Sequence, residues 1–404
     1  MLSEDSLNIL MQPIITRQEN INLYVLKIIA ERIKEIGTLL PSDLHTLQQL
    51  VRTGSDIKKI NDYLATQTNL QSKDIKDLIK TVALDAYIDA KPFYLAKGKD
   101  FISFAENTYL NQIVTAIAEQ TADTYINMSK AQAFMLRDLA NPKVLIPTPI
   151  AKTYQTIVDE AIQASQSGVL DYNTAMRRSL NQLINSGIRN VNYEAESGRR
   201  HTQRLDTAVR RNLLDGIRAI NLGVQKEVGR QFGADGVEIS VHEMSAPDHE
   251  PVQGHQFTNE EYNKLQNGEA FTDVNGKHFK PIERAIGTLN CRHFAWSIVI
   301  GVSKPLYTQA QLNEFIKKNN EGYTMTNGKH LTMYECTQEQ RRLETEIRRA
   351  KDGQIVAKEA GDIDLAKKYQ AKVSKLTKDY TAFSKACGLK KRFESIRVEG
   401  YEKL

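Results

Sequence analysis

The sequence predicts a mainly α fold, with a multi-helix N-terminal half, a small α+β domain in the middle, and a C-terminal β-hairpin and αα-hairpin. Three observations predict this class. Apolar residues recur at helical spacing through residues 1–230, and short alternating segments with turn dipeptides fill residues 235–305. Proline is absent from residue 306 onward, which permits long helices there.

The chain of 404 residues is long enough for two or three domains. We expect a helical N-terminal region over 1–145, a helical connector over 146–234, a small α+β domain over 235–305 packed on helix 202–229, and a hairpin plus basic helical hairpin over 306–404. The first boundary lies among prolines 142, 147 and 149, which forbid a continuous helix. Up to that point the pattern predicts helices, including one over 106–139.

Two helices of this half carry clear apolar stripes. The first repeats apolar residues every three or four positions: Ile21, Val25, Ile28, Ile29, Ile33 and Ile36. The second, within 204–218, repeats Leu205, Val209, Leu213 and Ile217. Its arginines (Arg204, Arg210, Arg211 and Arg218) lie off the stripe, so we expect a core helix with a solvated or partner-facing basic side.

The middle domain is predicted from strand and turn signals. VEISVHE alternates apolar residues on one face, and Asn275-Gly276 is a typical hairpin turn. The apolar run 293–301 contains the single tryptophan, Trp296, and predicts a buried strand. We expect 287–301 to be central to this domain, with Trp296 in its core.

The C-terminal region combines a second turn dipeptide, Asn327-Gly328, with two helices predicted over 337–359 and 363–386. Apolar residues form one stripe on the second helix: Leu365, Tyr369, Val373, Leu376, Tyr380, Phe383 and Cys387. Residues 337–404 hold 17 Lys and Arg against 11 Asp and Glu, whereas the other 336 residues hold 37 against 38. We expect a basic assembly surface whose stripe packs on the body or a partner, and whose deletion leaves the rest folded.

Several function classes lose support from the sequence. It contains no phosphate-binding loop, dinucleotide fingerprint, zinc-peptidase helix motif, Gly-x-Ser-x-Gly elbow, Cys-x-x-Cys pair or EF-hand loop. Neither a signal peptide nor a membrane span is predicted. Three widely spaced cysteines cannot form a disulfide framework and are typical of a reducing cytosol.

One concentration of chemistry remains, a His-rich block over 242–293. It contains five of the eight histidines (His242, His249, His255, His278 and His293) together with Cys291. Cys291 and His293 would share one face of a strand, and sulfur with imidazole nitrogen suits zinc. The paired spacing of zinc modules is absent, so we predict a hydrogen-bonded structural cluster. The alternative is a zinc site on Cys291 and His293, with further ligands from His249, His255 or His278. A thiol–imidazole catalytic site with Asp248 is a further alternative.

Four stretches, taken in order, resemble the tailed-phage minor capsid protein 2 family, which is related to portal-associated head-morphogenesis proteins. They are RLDTAVRRNLLDGIR with FGADGVEIS, SAPDHEPVQGHQF, GTLNCRHFAWSIVIG, and the tail from CTQEQRRLETEIRRAK to YTAFSKACGLKKRFESIRVEGY. The family-motif positions are His249, Gln253, Gly254, Asn290, Cys291, Arg292 and His293.

The resemblance implies a structural role in head assembly and no enzymatic activity. Expected partners are the portal protein, the major capsid protein or scaffold, and packaged DNA, but no membrane. The expected location is the virion, after assembly in the bacterial cytoplasm. No catalytic residue and no cofactor are expected. Two alternatives stay open: a metal-dependent nuclease or hydrolase that uses block 242–293, and a DNA-binding accessory protein that uses the basic tail.

Overall fold

The computed structural model describes residues 4–37, 54–96, 98–138, 140–141, 143–167, 172–193, 200–288, 291 and 293–404. Most of these residues are helical, which confirms the predicted mainly α class. Across these ranges, each helix is either too short or too polar to span a lipid bilayer.

Long helices build the N-terminal half. They are α1 (Glu4–Ile36), α2 (Ser55–Ile88), α3 (Lys91–Ala96), α4 (Thr108–Lys130), α5 (Ile150–Ser167), α6 (Tyr172–Ser186) and α7 (Leu205–Gln231). The predicted stripe of α1 is confirmed, since all its members but Ile28 are at most 1% exposed. Helix α4 begins at Asn107, whose side chain accepts a hydrogen bond from the backbone N–H of Leu110.

Helix α7 lies in the middle of the molecule. Its stripe, from Leu205 to Ile217, is buried as predicted. The expectation of a solvated basic side is wrong for Arg204 and Arg218, which are only 6% and 8% exposed. Neighbouring elements cover these two arginines, which contact Asp206 and Asp215, whereas Arg210 and Arg211 are partly buried.

A four-stranded antiparallel sheet interrupts the helices, and the sequence analysis missed it. Its strands β1 (Gln132–Arg137), β2 (Leu145–Pro149), β3 (Arg189–Tyr193) and β4 (Arg200–Arg204) pair in the order β2-β1-β3-β4. The helix predicted over 106–139 ends at Lys130, and β1 follows it directly. Pro147 and Pro149 lie in the edge strand β2, where a missing N–H does not break the ladder.

The middle of the chain forms a small α+β unit. Strand β5 (Gly236–Ile239) is flanked by β6 (Gln256–Thr258) and β9 (Ala295–Ile298), both antiparallel to it. Between them lie α8 (Asn259–Gln266) and the hairpin of β7 (Phe271–Thr272) and β8 (His278–Phe279). The predicted turn is confirmed, because Gly276 has the positive φ of 83° that such a turn requires.

The prediction that 287–301 is central to this unit is wrong in detail. The central strand is β5, and β9 lies at the edge of the described sheet. Trp296 is therefore only half-buried, whereas Phe257 of β6 is completely buried. The unit rests on α7, where the hydroxyl of Ser297 donates to the carbonyl of Gln225 at 2.8 Å.

Two long helices end the molecule. Helix α9 (Gln309–Glu321) leads into a hairpin of β10 (Tyr323–Thr324) and β11 (His330–Leu331), and then α10 (Met333–Glu359) and α11 (Ile363–Ala386) form the predicted αα-hairpin. Asp362 caps α11 by accepting from the N–H of Leu365. Helices α10 and α11 pack so closely at Gly353 that a Cβ there would lie 2.4 Å from the ring of Tyr369.

The αα-hairpin is part of the body rather than an appendage. Its turn end, from Ala350 to Val373, lies in the same hydrophobic core as α1 and α7. Its open end has a smaller core of Leu343, Ile347, Tyr380 and Ile396. The apolar stripe is thus covered within the chain, and deletion of 337–404 would expose the part of the core that these residues cover. The proposed domain boundaries at 145, 234 and 305 stay predictions.

Candidate functional site

Three buried side chains of the α+β unit meet around one sulfur atom. Cys291 Sγ lies 3.1 Å from His249 Nδ1 and 3.4 Å from His293 Nδ1. The three residues are 4%, 1% and 2% exposed. We call His249, Cys291 and His293 the Cys–His cluster, and all three of its potential ligand atoms lie within 4.8 Å of one another.

Two loops bring the cluster together. His249 immediately precedes a 3₁₀ turn, Glu250–Val252, in the loop that joins β5 to β6. Cys291 and His293 lie just before β9, which pairs with β5. Gly254 lets the first loop return to the sheet, since it has a φ of 69° and a Cβ there would lie 2.6 Å from Leu312.

The nitrogen of each imidazole that faces away from the sulfur, Nε2 (the outer nitrogen), contacts a carbonyl oxygen. His249 Nε2 lies 2.8 Å from the backbone oxygen of Arg284, and His293 Nε2 lies 3.1 Å from Oε1 of Gln253. That same Oε1 accepts from the backbone N–H of His242 at 3.0 Å, which fixes the orientation of the amide. Both histidines therefore carry their proton on Nε2 and direct Nδ1 at the sulfur.

A bidentate ion pair between Arg284 and Asp248 links the two loops. Arg284 donates to both carboxylate oxygens of Asp248, at 2.7 and 2.6 Å. This pair lies beside His249 and joins loop 245–257 to the chain that precedes Cys291. Asp248 thus pairs with Arg284 and holds the loop, and its Oδ2 also lies 3.5 Å from His249 Nε2, so the thiol–imidazole site with Asp248 stays a prediction.

The residues of the cluster shift one another's pKa values. Burial opposes ionisation of Cys291, but the neighbouring His249 outweighs it and lowers the pKa of the thiol. Burial likewise opposes protonation of His249, yet the contact with Cys291 raises its pKa. Burial, reinforced by the charges around it, lowers the pKa of His293 to about 2. His293 is therefore a neutral imidazole with an available lone pair at neutral pH.

A cavity of about 340 Å³ opens on the cluster. Besides the three cluster residues, it is lined by His242, Arg211, Arg284, Arg341 and Tyr334, among others. The His242 ring lies 4.2 Å from the ring of His293. The cavity is thus polar and basic, and large enough for several water molecules or a small anion.

The structure brings together five of the seven family-motif positions, namely His249, Gln253, Gly254, Cys291 and His293. Asn290 and Arg292 lie outside the described residues. Three histidines of the block are not part of the cluster: His242 lines the same cavity, His255 contacts Asp273 at 2.7 Å, and His278 contacts Thr272 at 2.9 Å. Sequence reasoning missed Arg284, because nothing in its local sequence marks a residue that pairs across 36 positions.

A second buried polar centre lies in the helical body. It consists of Glu19, Arg204, Asp206, Arg348 and Asp352, which we call the ion network. Arg204 contacts Asp206 at 3.3 Å and Asp352 at 3.5 Å, and Arg348 contacts Glu19 at 3.2 Å and Asp206 at 3.7 Å. The network therefore joins α1, α7 and α10.

Its carboxylates differ in protonation. Burial raises the pKa of Glu19 to about 7, although Arg348 opposes the shift. Burial also raises the pKa of Asp352. For Asp206 burial acts in the same direction, but Arg204 and Arg348 outweigh it and lower the pKa. The network thus contains an ionised Asp206 and a Glu19 that is close to half-protonated at neutral pH.

A third feature is the lysine face of α11, which is on the surface. Six lysines of this helix are exposed: Lys367, Lys368, Lys372, Lys375, Lys378 and Lys385. Two exposed acidic residues, Asp364 and Asp379, interrupt them. The opposite side of α11 is the apolar stripe, which is buried or partly buried.

The family model described as phage minor capsid protein 2 matches residues 2–385, which is nearly the whole chain. No curated protein matches the chain. No solved structure matches it either.

Proposed function

The chain belongs to the phage minor capsid protein 2 family, and from this premise we propose that it attaches to the portal during head assembly through the lysine face of α11. Family membership makes it a structural component of the phage particle. The proposal adds the partner and the surface. It also assigns the assembly step to the bacterial cytoplasm and gives the protein no enzymatic role.

The observation that carries the proposal is the way α11 is mounted. Its apolar stripe is covered by the body and by the chain that follows it, so the lysines project from the outward side. Arg177 holds the start of the helix by donating to both oxygens of Asp362, at 2.5 and 2.9 Å. A rigid, basic helix face fits an acidic protein surface, which it would recognise by charge complementarity.

Duplex DNA is the competing partner for the same face. A phosphate backbone favours an uninterrupted basic surface, because each neutralised phosphate releases counterions. Asp364 and Asp379 are exposed among the lysines and would repel phosphates. Asp364 already lies 3.7 Å from Arg177, and Asp379 can meet a basic residue of a protein partner. These two carboxylates favour the portal, or the major capsid protein or scaffold next to it, over packaged DNA.

The test is charge reversal on α11. The variant Lys368→Glu, Lys372→Glu, Lys375→Glu should lose portal in a pull-down from infected cells and should not enter heads. The matched control is Lys58→Glu, Lys73→Glu, Lys80→Glu, three exposed lysines of α2. The control should behave like the unmodified protein. Thermal unfolding of both variants checks that the fold is intact.

Two outcomes would contradict the proposal. If the α11 variant still co-purified with portal and entered heads, the lysine face would not be the attachment surface. If it kept portal but lost duplex DNA binding, with a reduced dependence of affinity on salt, the face would serve the DNA-binding role instead.

A further inference from the structure

We propose that the Cys–His cluster is a zinc site, with Cys291 Sγ, His249 Nδ1 and His293 Nδ1 as its three protein ligands. This inference concerns the α+β unit and does not depend on the proposed function of α11. It replaces the hydrogen-bonded cluster that the sequence favours, because the geometry leaves that arrangement one proton short.

The proton count begins with the outer nitrogens. The backbone oxygen of Arg284 accepts only, so His249 Nε2 is protonated. Gln253 Oε1 already accepts from the backbone N–H of His242, so it too faces a protonated nitrogen, His293 Nε2. In the neutral imidazoles, both Nδ1 atoms then carry lone pairs directed at one sulfur atom.

A thiol has a single proton to offer these two nitrogens. If Cys291 donates to His249, the lone pair of His293 Nδ1 faces sulfur lone pairs at 3.4 Å, and the reverse choice leaves His249 at 3.1 Å. Transfer of the proton to His249 does not help, because His293 Nδ1 then faces a thiolate. An unmatched lone pair in a buried site is costly. A divalent cation satisfies all three atoms at once.

The distances and surroundings fit zinc. Zinc–sulfur and zinc–nitrogen bonds of about 2.3 and 2.0–2.1 Å place tetrahedral sulfur and nitrogen ligands about 3.5 Å apart. The observed separations of 3.1 and 3.4 Å are close to that value. Ligating histidines usually donate their other N–H to a carbonyl or carboxylate, as both do here.

The sulfur also has the environment of a thiolate ligand. The backbone N–H of His293 donates to Cys291 Sγ at 3.3 Å, which stabilises negative charge on sulfur. One thiolate with two imidazoles is a donor set that favours zinc over calcium or magnesium, which take oxygen ligands. The cavity that the three residues line has room for a water molecule as a fourth ligand.

The test measures metal in the full-length protein, produced in zinc-supplemented medium and purified without a histidine tag. After dialysis we expect about one zinc per chain. Cys291→Ser and His293→Gln should each lose it. Two matched controls should keep it: Cys336→Ser, at another buried cysteine, and His255→Gln, at a histidine of the same unit that contacts Asp273 instead.

A cobalt experiment keeps the proposal testable if the ligand variants fail to fold. The unmodified protein is stripped with a chelator and refilled with Co²⁺, which should give the thiolate-to-cobalt charge-transfer band and the intense visible absorption of a tetrahedral site. Absence of both bands, zinc at background in the unmodified protein, or full zinc content in a folded Cys291→Ser variant would each overturn the proposal.

Discussion

The ion network and the Cys–His cluster are both buried polar centres, but their buried charges are compensated in different ways. The network contains its own cations, because Arg204 and Arg348 lie among three carboxyl groups. The cluster has no charged side chain of the chain in contact with its sulfur among the described residues, and it depends on an external ion in our proposal. Burial of charge is tolerated in both only when opposite charge is supplied.

The two centres also differ in what they connect. Members of the ion network are separated by up to 333 positions, from Glu19 to Asp352, and they join the first helix to the αα-hairpin. The cluster spans only 249–293, within one small unit. The comparison shows that the body is held by distant parts of the chain, whereas the α+β unit is organised locally.

The largest effect on stability is expected for Arg204→Met, which removes a cation from the ion network. Asp206 and Asp352 would then stay buried with reduced compensation. Loss of one partner from a buried ion pair typically costs about 3–5 kcal/mol, and we expect that loss in the free energy of unfolding by urea. Arg342→Met is the control, because Arg342 pairs with Glu339 at the surface and should cost less than about 1 kcal/mol. Equal effects of the two variants would contradict the assigned role of the network.

A second experiment tests whether Glu19 makes the stability of the protein depend on pH. Its pKa in the folded protein is about 7, above its ordinary value of 4.5, so the folded state binds an extra proton between these values. The stability that this proton contributes is fully present below about pH 4.5 and is lost as the pH rises through 7. Relative to Glu19→Gln, the unmodified protein should lose on the order of 3 kcal/mol between about pH 5 and pH 8.

The measurement is denaturant unfolding at a series of pH values. Glu35→Gln serves as the control, since Glu35 lies on the same helix and is 58% exposed. Glu19→Gln should lose less stability than Glu35→Gln between about pH 5 and pH 8. If Glu19→Gln left the dependence unchanged, Glu19 would not be the group that carries the proton.

A third experiment tests the other centre through Gln253, which contacts the cluster without being a ligand in our proposal. Gln253→Ala removes the acceptor that orients His293. Loss of such a contact typically weakens metal affinity by about 10–100-fold, and competition with a chromophoric chelator measures it. Gln256→Ala is the control, because Gln256 is buried in the same unit but contacts Glu238. Unchanged affinity in the Gln253 variant would contradict the assigned role of this side chain.

The smallest expected effect concerns Trp296. A fully buried aromatic residue costs about 3–5 kcal/mol on truncation to alanine, and we expect that loss for Phe257→Ala. Trp296 is only half-buried on an edge strand, so Trp296→Ala should cost roughly 1–2 kcal/mol. Urea unfolding of the two variants compares them directly. A larger loss for Trp296 would show that β9 is more deeply packed than the structure indicates.

The helical spacing of apolar residues predicted those helices that bury a single apolar stripe. The two helices of the αα-hairpin and the core positions of α7 follow from sequence spacing alone. The four-stranded sheet was missed because its strands are short, and because β1 continues directly from a helical pattern. The prolines of β2 indicated a break, but only the paired structure shows that they lie on a sheet edge.

The candidate site was predictable in composition but not in geometry. The spacing of Cys291 and His293 placed two ligands on one side of the chain, and His249 was a candidate because it lies in the same block. The decisive facts are the contacts of the outer nitrogens with Arg284 and Gln253. These depend on how two loops fold against each other, which no local pattern encodes.

The shared core of α1 and the αα-hairpin has a consequence for synthesis of the protein. Helix α1 is synthesised well before residues 350–373, which complete its core. At about 5–20 residues per second, the interval between residue 36 and residue 373 is roughly 20–70 s. Throughout that time the part of the α1 surface that the αα-hairpin covers stays exposed, so this core is complete only once the hairpin has been made.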